Sequence, residues 1–108
     1  MSEFINFLHE TFNTFGTLKT RKMFGGHGIY HQGLMIGLVA DDELYLKVDK
    51  QTEAEFSAKD MQPFTFHKGE KLVKMSYFQA PEEIYDDHEQ ANYWANLAYA
   101  AAVRANKK

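Results

Sequence analysis

Apolar residues Phe4, Ile5, Leu8, Phe12 and Phe15 return every three or four positions, the spacing of one face of a helix. Ser2 in front as N-cap and Gly16 behind as a stop predict a helix over that stretch. Beyond Gly16 the period shortens. Residues 18–24 are compatible with a strand, and Gly25, Gly26 and Gly28 interrupt before Ile29, Tyr30 and His31. That predicts a bent or bulged first strand, or two short strands in sequence. Gln32-Gly33 supplies a tight turn. After it Leu34, Ile36 and Leu38 alternate with Met35, Gly37 and Val39, so this strand is apolar on both faces and largely buried. Asp41, Asp42 and Glu43 form the next turn. Leu44, Leu46 and Val48 then share one parity while Tyr45, Lys47 and Asp49 share the other, which predicts a strand with one packed face and one open face.

The second half repeats the grammar with different spacing. Thr52 and Glu55 form a Thr-x-x-Glu capping-box pair, predicting a short helix that ends before Met61 and Pro63. Two strands follow, over 64–67 and 71–78, joined by a turn at Gly69. Pro81 with Glu82 and Glu83 predicts a helical turn or loop. Asp86 or Asp87 caps a final helix in which Ala91, Trp94, Ala95, Ala98, Ala101, Ala102 and Ala105 form one stripe. Alanines let that helix lie close to a sheet, with Trp94 filling the core beside them. Arg104, Lys107 and Lys108 place positive charge at its C-terminal end, where the dipole favours it. The order is helix, three strands, helix, two strands, helix, with connections short enough for antiparallel pairing. The fold class is α+β: a two-layer α-β3-α-β2-α sandwich with a mainly antiparallel five-stranded sheet, helices on one face and the other face free.

Composition narrows the chemistry. With 108 residues, the chain is expected to form a single domain, 1–108, around one core. It has no cysteine, which excludes disulfides, thiolate catalysis and cysteine-based zinc sites. No stretch approaches the ~20 apolar residues of a membrane span and no signal-peptide pattern opens the chain, so a cytoplasmic protein with no membrane association is expected. Twelve Lys and Arg against fifteen Asp and Glu leave a net charge of −3. That balance argues against direct DNA binding by this chain alone. His27 and His31 are four residues apart, but on a strand they would lie roughly 13 Å from each other, too far to share an ion. The acidic clusters at Asp41-Asp42-Glu43, Glu82-Glu83 and Asp86-Asp87-Glu89 each serve a turn, helix start or cap, and Ser57 and Ser76 lack a nucleophile-elbow context. No metal, no cofactor and no enzymatic activity are expected.

Several ordered blocks then carry a resemblance: Arg21-x-Met23-Phe24-Gly25-Gly26-x-Gly28-Ile29-Tyr30, Gly33, Leu44-Tyr45-Leu46-Lys47-Val48-Asp49, Met75-Ser76-Tyr77-Phe78, Pro81, and Trp94 in an alanine-rich helix. Together they resemble the TfoX/Sxy N-terminal domain over nearly the whole chain. The resemblance implies a secretion-chaperone-like two-layer fold and a link to bacterial competence. It also implies regulation of transcription, since full-length members are co-activators working with the cyclic-AMP receptor protein and carry a second, C-terminal domain. This chain stops after its last helix, so the expectation is a stand-alone N-terminal module with no C-terminal domain.

The functional expectation is accordingly a non-enzymatic regulatory domain that contacts a protein partner, within the transcription machinery, through its open sheet face or a sheet edge. Arg21, Tyr45 and Lys47 are the candidate contact residues, because aromatic and basic side chains together favour binding surfaces. Gly25, Gly26 and Gly28 shape the strand beside them. A homodimer through an uncovered strand edge or face is compatible with the same pattern. The alternative is a small-molecule or anion sensor that uses the Gly25–Gly28 bend, where successive backbone N–H groups could ring an anion.

Overall fold

The computed structural model describes residues 3–23 and 26–107. Three helices and a short 3₁₀ turn accompany six strands in the order α1 (Glu3–Thr11), β1 (Lys19–Met23), β2 (Gly26–His31), β3 (Leu34–Ala40), β4 (Glu43–Lys47), α2 (Glu53–Ala58), β5 (Pro63–Lys68), β6 (Lys71–Gln79), the 3₁₀ turn (Glu82–Tyr85) and α3 (His88–Asn106). The strands form one antiparallel sheet in the order β1-β2-β3-β4-β6-β5. The two-layer α+β sandwich is as expected, with one strand more than the five expected. The extra strand comes from the glycine stretch. β1 and β2 pair antiparallel, Met23 with Gly26, so of the two readings the sequence left open, one bent strand or two short strands, the structure has the two strands. A glycine-rich break can bend a strand or fold it back on itself, and pairing with β3 on the far side selects the second.

The helices pack on one face. Ile5, Leu8 and Phe12 from α1, Phe56 from α2 and Ala91, Trp94, Ala95, Ala98 and Ala102 from α3 share a core with Ile29, Val39, Leu44, Leu46 and Phe78 of the sheet. Trp94 is the anchor, 3% exposed and edge-on to Phe56 at 4.8 Å between ring centres. The alanine stripe lies against the sheet as its spacing predicts, except that Ala105, on the last turn, is exposed. Asp87 caps α3 by accepting from the Glu89 N–H at 2.8 Å. Ser2, expected to cap α1, lies outside the described residues.

Two local predictions change. In β3, Ile29 pairs with Gly37 but Tyr30 with Met35, so a bulge inserts Ile36 and lets both Ile36 and Gly37 face the core side. The capping box at α2 does not form, since Thr52 makes no side-chain cap bond. Its hydroxyl instead accepts from the Asp49 N–H at 3.1 Å, and the Asp49 carboxylate accepts from the N–H groups of Gln51 (3.0 Å) and Thr52 (3.2 Å). Glu55, freed from the box, accepts from the Tyr93 hydroxyl. Asp49 wins because it also holds Arg104 through two hydrogen bonds of 2.6 and 3.0 Å, and a bidentate guanidinium–carboxylate pair fixes it in place. That pair ties the end of β4 to the end of α3.

Candidate interaction face

On the sheet face opposite the helices, strand pairing lines up one row of residues. Arg21 pairs with Gly28, Gly28 with Leu38, Leu38 with Tyr45, and Tyr45 with Gln79. Arg21 and Tyr45 therefore share a face but stand three strand spacings apart, about 14 Å. The next row places Lys47 beside Tyr77, with the ammonium 5.1 Å from the ring centre, a cation–π distance. The structure thus unites Tyr45 and Lys47 and leaves Arg21 on the edge strand β1, with Tyr30, Met35 and Leu38 between.

Neither Tyr45 nor its surroundings form an ordinary hydrated strand face. The Tyr45 ring meets Phe64 of β5 edge-on at 4.9 Å. Leu38 and Tyr77 lie outside the main core, yet are only 8% and 7% exposed. Burial, followed by the charge of Tyr30, pushes the Tyr77 phenol up to about 12. Burial, then Glu43 and Asp41, also raises Tyr45. Leu38, Tyr45, Phe64 and Tyr77 make a small second apolar patch on the open face. Sequence parity identified Tyr45 and Lys47 but not Tyr77 or Phe64. Tyr77 was readable in principle, because Phe78 beside it had to face the core.

The glycines have packing reasons. A Cβ at Gly26 would stand 2.0 Å from the Val39 carbonyl oxygen, so β2 can approach β3 there only without a side chain. Gly28 is overlaid by Met23 and Tyr30. Gly25 lies outside the described residues. Elsewhere His31, four residues from His27, is taken up by structure. Its Nδ1 is 2.9 Å from the Thr17 carbonyl oxygen, and its ring lies between Phe15 and Tyr99 at 4.5 and 5.0 Å.

Charge is divided between the two layers. Among the described residues the strands carry Lys19, Arg21 and Lys22 on β1, Lys47 on β4, Lys68 on β5, and Lys71 and Lys74 on β6, against Glu43 alone. The helices and the 3₁₀ turn carry seven glutamates against Arg104 alone, and Arg104 is held by Asp49. The net charge of −3 is therefore the sum of a basic sheet and a more strongly acidic remainder. No described helix is long and apolar enough to cross a membrane.

The TfoX N-terminal domain family model matches residues 10–102. A protein of Aliivibrio fischeri named DNA transformation protein TfoX1 is 29% identical over 79 residues, which span 73% of this chain and 36% of that protein. The chain thus spans about a third of the length of the curated relative it matches. The family match runs from the end of α1 to the last turns of α3, through every strand of the sheet, and on that extent the chain belongs to the TfoX N-terminal domain family.

Proposed function

We propose that this domain is a non-enzymatic regulatory module in the control of DNA transformation, working by contact with a protein of the transcription machinery. The link to transformation comes from the name of the Aliivibrio relative and from the family. The observation that carries the contact is the second apolar patch: Leu38, Tyr45, Phe64 and Tyr77 gathered on the sheet face opposite the main core, with Lys47 over Tyr77 where that face meets Ala102 and Ala105 at the end of α3. A face needed only for solubility has no use for a desolvated aromatic cluster, whereas protein interfaces concentrate aromatics inside a charged or polar rim. The edges of the sheet do not favour a second copy of this chain as the partner. Both sheet edges are basic, with Lys19, Arg21 and Lys22 on β1 and Lys68 on β5, so copies paired edge to edge would bring like charges together.

The test is capture from nuclease-treated lysate of the native host, with the unaltered domain and a Tyr45→Ala/Lys47→Ala variant compared by mass spectrometry. Transcription proteins are expected to be retained by the first and lost, roughly tenfold or more, from the second. Equal recovery by a variant with an unchanged circular dichroism spectrum sinks the reading.

A further inference from the structure

The β5–β6 hairpin leaves the sheet. β4 pairs with β6 only over Tyr77, Phe78 and Gln79, with one further bond from the Val48 N–H to the Ser76 carbonyl. The rest of β6 has only β5 beside it, paired from Thr65↔Lys74 to Lys68↔Lys71. Residues 65–72 are all exposed. The projecting part is a two-stranded ribbon held by its own ladder, with Phe66 and Leu72 39% and 63% exposed.

Its charges follow the ribbon geometry. Lys68 and Lys71 face each other across the ladder, an arrangement that costs stability unless an anion sits against it. Paired residues share a face and successive residues alternate. Lys68, Lys71, Phe66 and Val73 are therefore on one side, and Lys74, His67 and Leu72 on the other. Among the described residues none of these three lysines is ion-paired, and the ribbon's one carboxylate is Glu70 in the turn.

We infer that this ribbon binds double-stranded DNA by its sugar–phosphate backbone, lying in a groove with Lys68 and Lys71 on one face and, on the other, Lys74, whose ammonium rests 5.7 Å from the Phe78 ring centre and swings out to a phosphate on binding. The major groove, about 12 Å wide, admits a two-stranded β-ribbon, whose strands are about 4.8 Å apart before side chains are added. Cations on both sides select a groove over a flat acidic protein surface, which would meet only one side and leave the other's lysines unanswered. Exposed Phe66 and Leu72 are the kind of apolar side chains that groove-binding proteins press against sugars and base steps. The net charge argues against a DNA binder; the layered charge removes that objection, because among the described strand residues seven cations stand against Glu43 alone and Glu70 is the ribbon's one carboxylate. The site is separate from the central patch, so either reading can fail alone.

The experiment is fluorescence anisotropy of a labelled mixed-sequence duplex of about two helical turns titrated with the full chain across a salt series. Three phosphate contacts predict a slope of log affinity against log salt of about −2.7, or roughly 40-fold weaker binding between about 50 and 200 mM salt. Lys68→Ala/Lys71→Ala/Lys74→Ala should flatten that slope towards zero, the corresponding triple arginine variant should restore it, and Tyr45→Ala/Lys47→Ala should bind within about twofold of the unaltered chain. Circular dichroism confirms that each variant is folded. Absence of duplex binding at low salt, an unchanged slope in the triple alanine variant, tighter binding of a single strand, or tighter binding of polyglutamate than of the duplex each overturns the proposal, the last by showing an acidic polypeptide as the better ligand.

Discussion

The packed body of the domain and its β5–β6 ribbon are made from the same kind of sheet, yet different forces hold them. In the body the central strands are fixed by what they bury: Leu44 and Leu46 share one core with Phe56 and Trp94, and burial of such side chains stabilises by about 1.5–3 kcal/mol each. In the ribbon, residues 65–72 bury almost nothing, and the backbone ladder works alone. Two-stranded ribbons are marginal without a packed face, so this one borrows its stability from the anchored end of β6. The contrast separates positions where sequence serves stability from positions where it is free to serve binding.

The largest effect expected is on the body side. Trp94→Ala removes the core anchor against Phe56 and should cost about 3–5 kcal/mol, seen as a large fall in the urea midpoint. A loss below about 1 kcal/mol would mean that the body is not organised around this residue.

Tyr77 marks the boundary, since β6 enters the body there. Its phenol, pushed up to about 12 by burial, stays protonated in the folded state while the unfolded chain ionises near pH 10. Its contribution is thus fully present below about pH 10 and is lost as pH rises through about 12, on the order of 2–3 kcal/mol across the window. Alkaline unfolding should begin near pH 10, and Tyr77→Phe should flatten that limb. An equally steep limb in the variant would assign the effect elsewhere.

Gly26→Ala should cost about 1–3 kcal/mol, as overpacking does, because its Cβ would meet the Val39 carbonyl oxygen. Unchanged thermal stability would show that β2 and β3 can part at no cost. Asp49 comes next. Its hydrogen bond from Arg104, followed by the N–H bonds from Gln51 and Thr52, holds its carboxyl below the usual range. Stability from this group is therefore complete above its unfolded pKa near 4 and lost as pH falls through the lower folded value. Asp49→Ala should cost about 1 kcal/mol at neutral pH, the usual net worth of a hydrogen bond. The gap from the native protein should close in thermal melts below about pH 4, and a gap persisting in acid would contradict the carboxylate's role.

At the small end, Leu72→Thr should change stability by less than about 0.5 kcal/mol, the usual range for exposed positions. A loss comparable to that of Trp94→Ala would erase the distinction between ribbon and body.

Much of this architecture was legible because most elements carry their own local signal. The alanine stripe, the parity of Leu44, Leu46 and Val48, and the turns at Gly33 and Gly69 each read as they fold. The misreadings share a cause. Which of the two readings of the glycine stretch holds depends on pairing with β3 alongside, and the Asp49 side chain that takes up the turn before α2 is held by Arg104, 55 residues further on. At the candidate face, parity brought out Tyr45 and Lys47. Phe64 and Tyr77 come beside them through the pairing of β4 with β6 and of β6 with β5, which no local pattern encodes.

By itself, then, the sequence determined the element types, the two-layer class, the face each helix and central strand buries, and the family. These depend on period and on turn chemistry, which act over a few residues. Tertiary structure alone decided which strands are neighbours, and with that the second aromatic patch, the basic sheet set against acidic helices, and the ribbon with lysines on both sides. The physical reason is that charge and exposed aromatic surface take effect through proximity in space, and a net charge of −3 does not show where its parts lie.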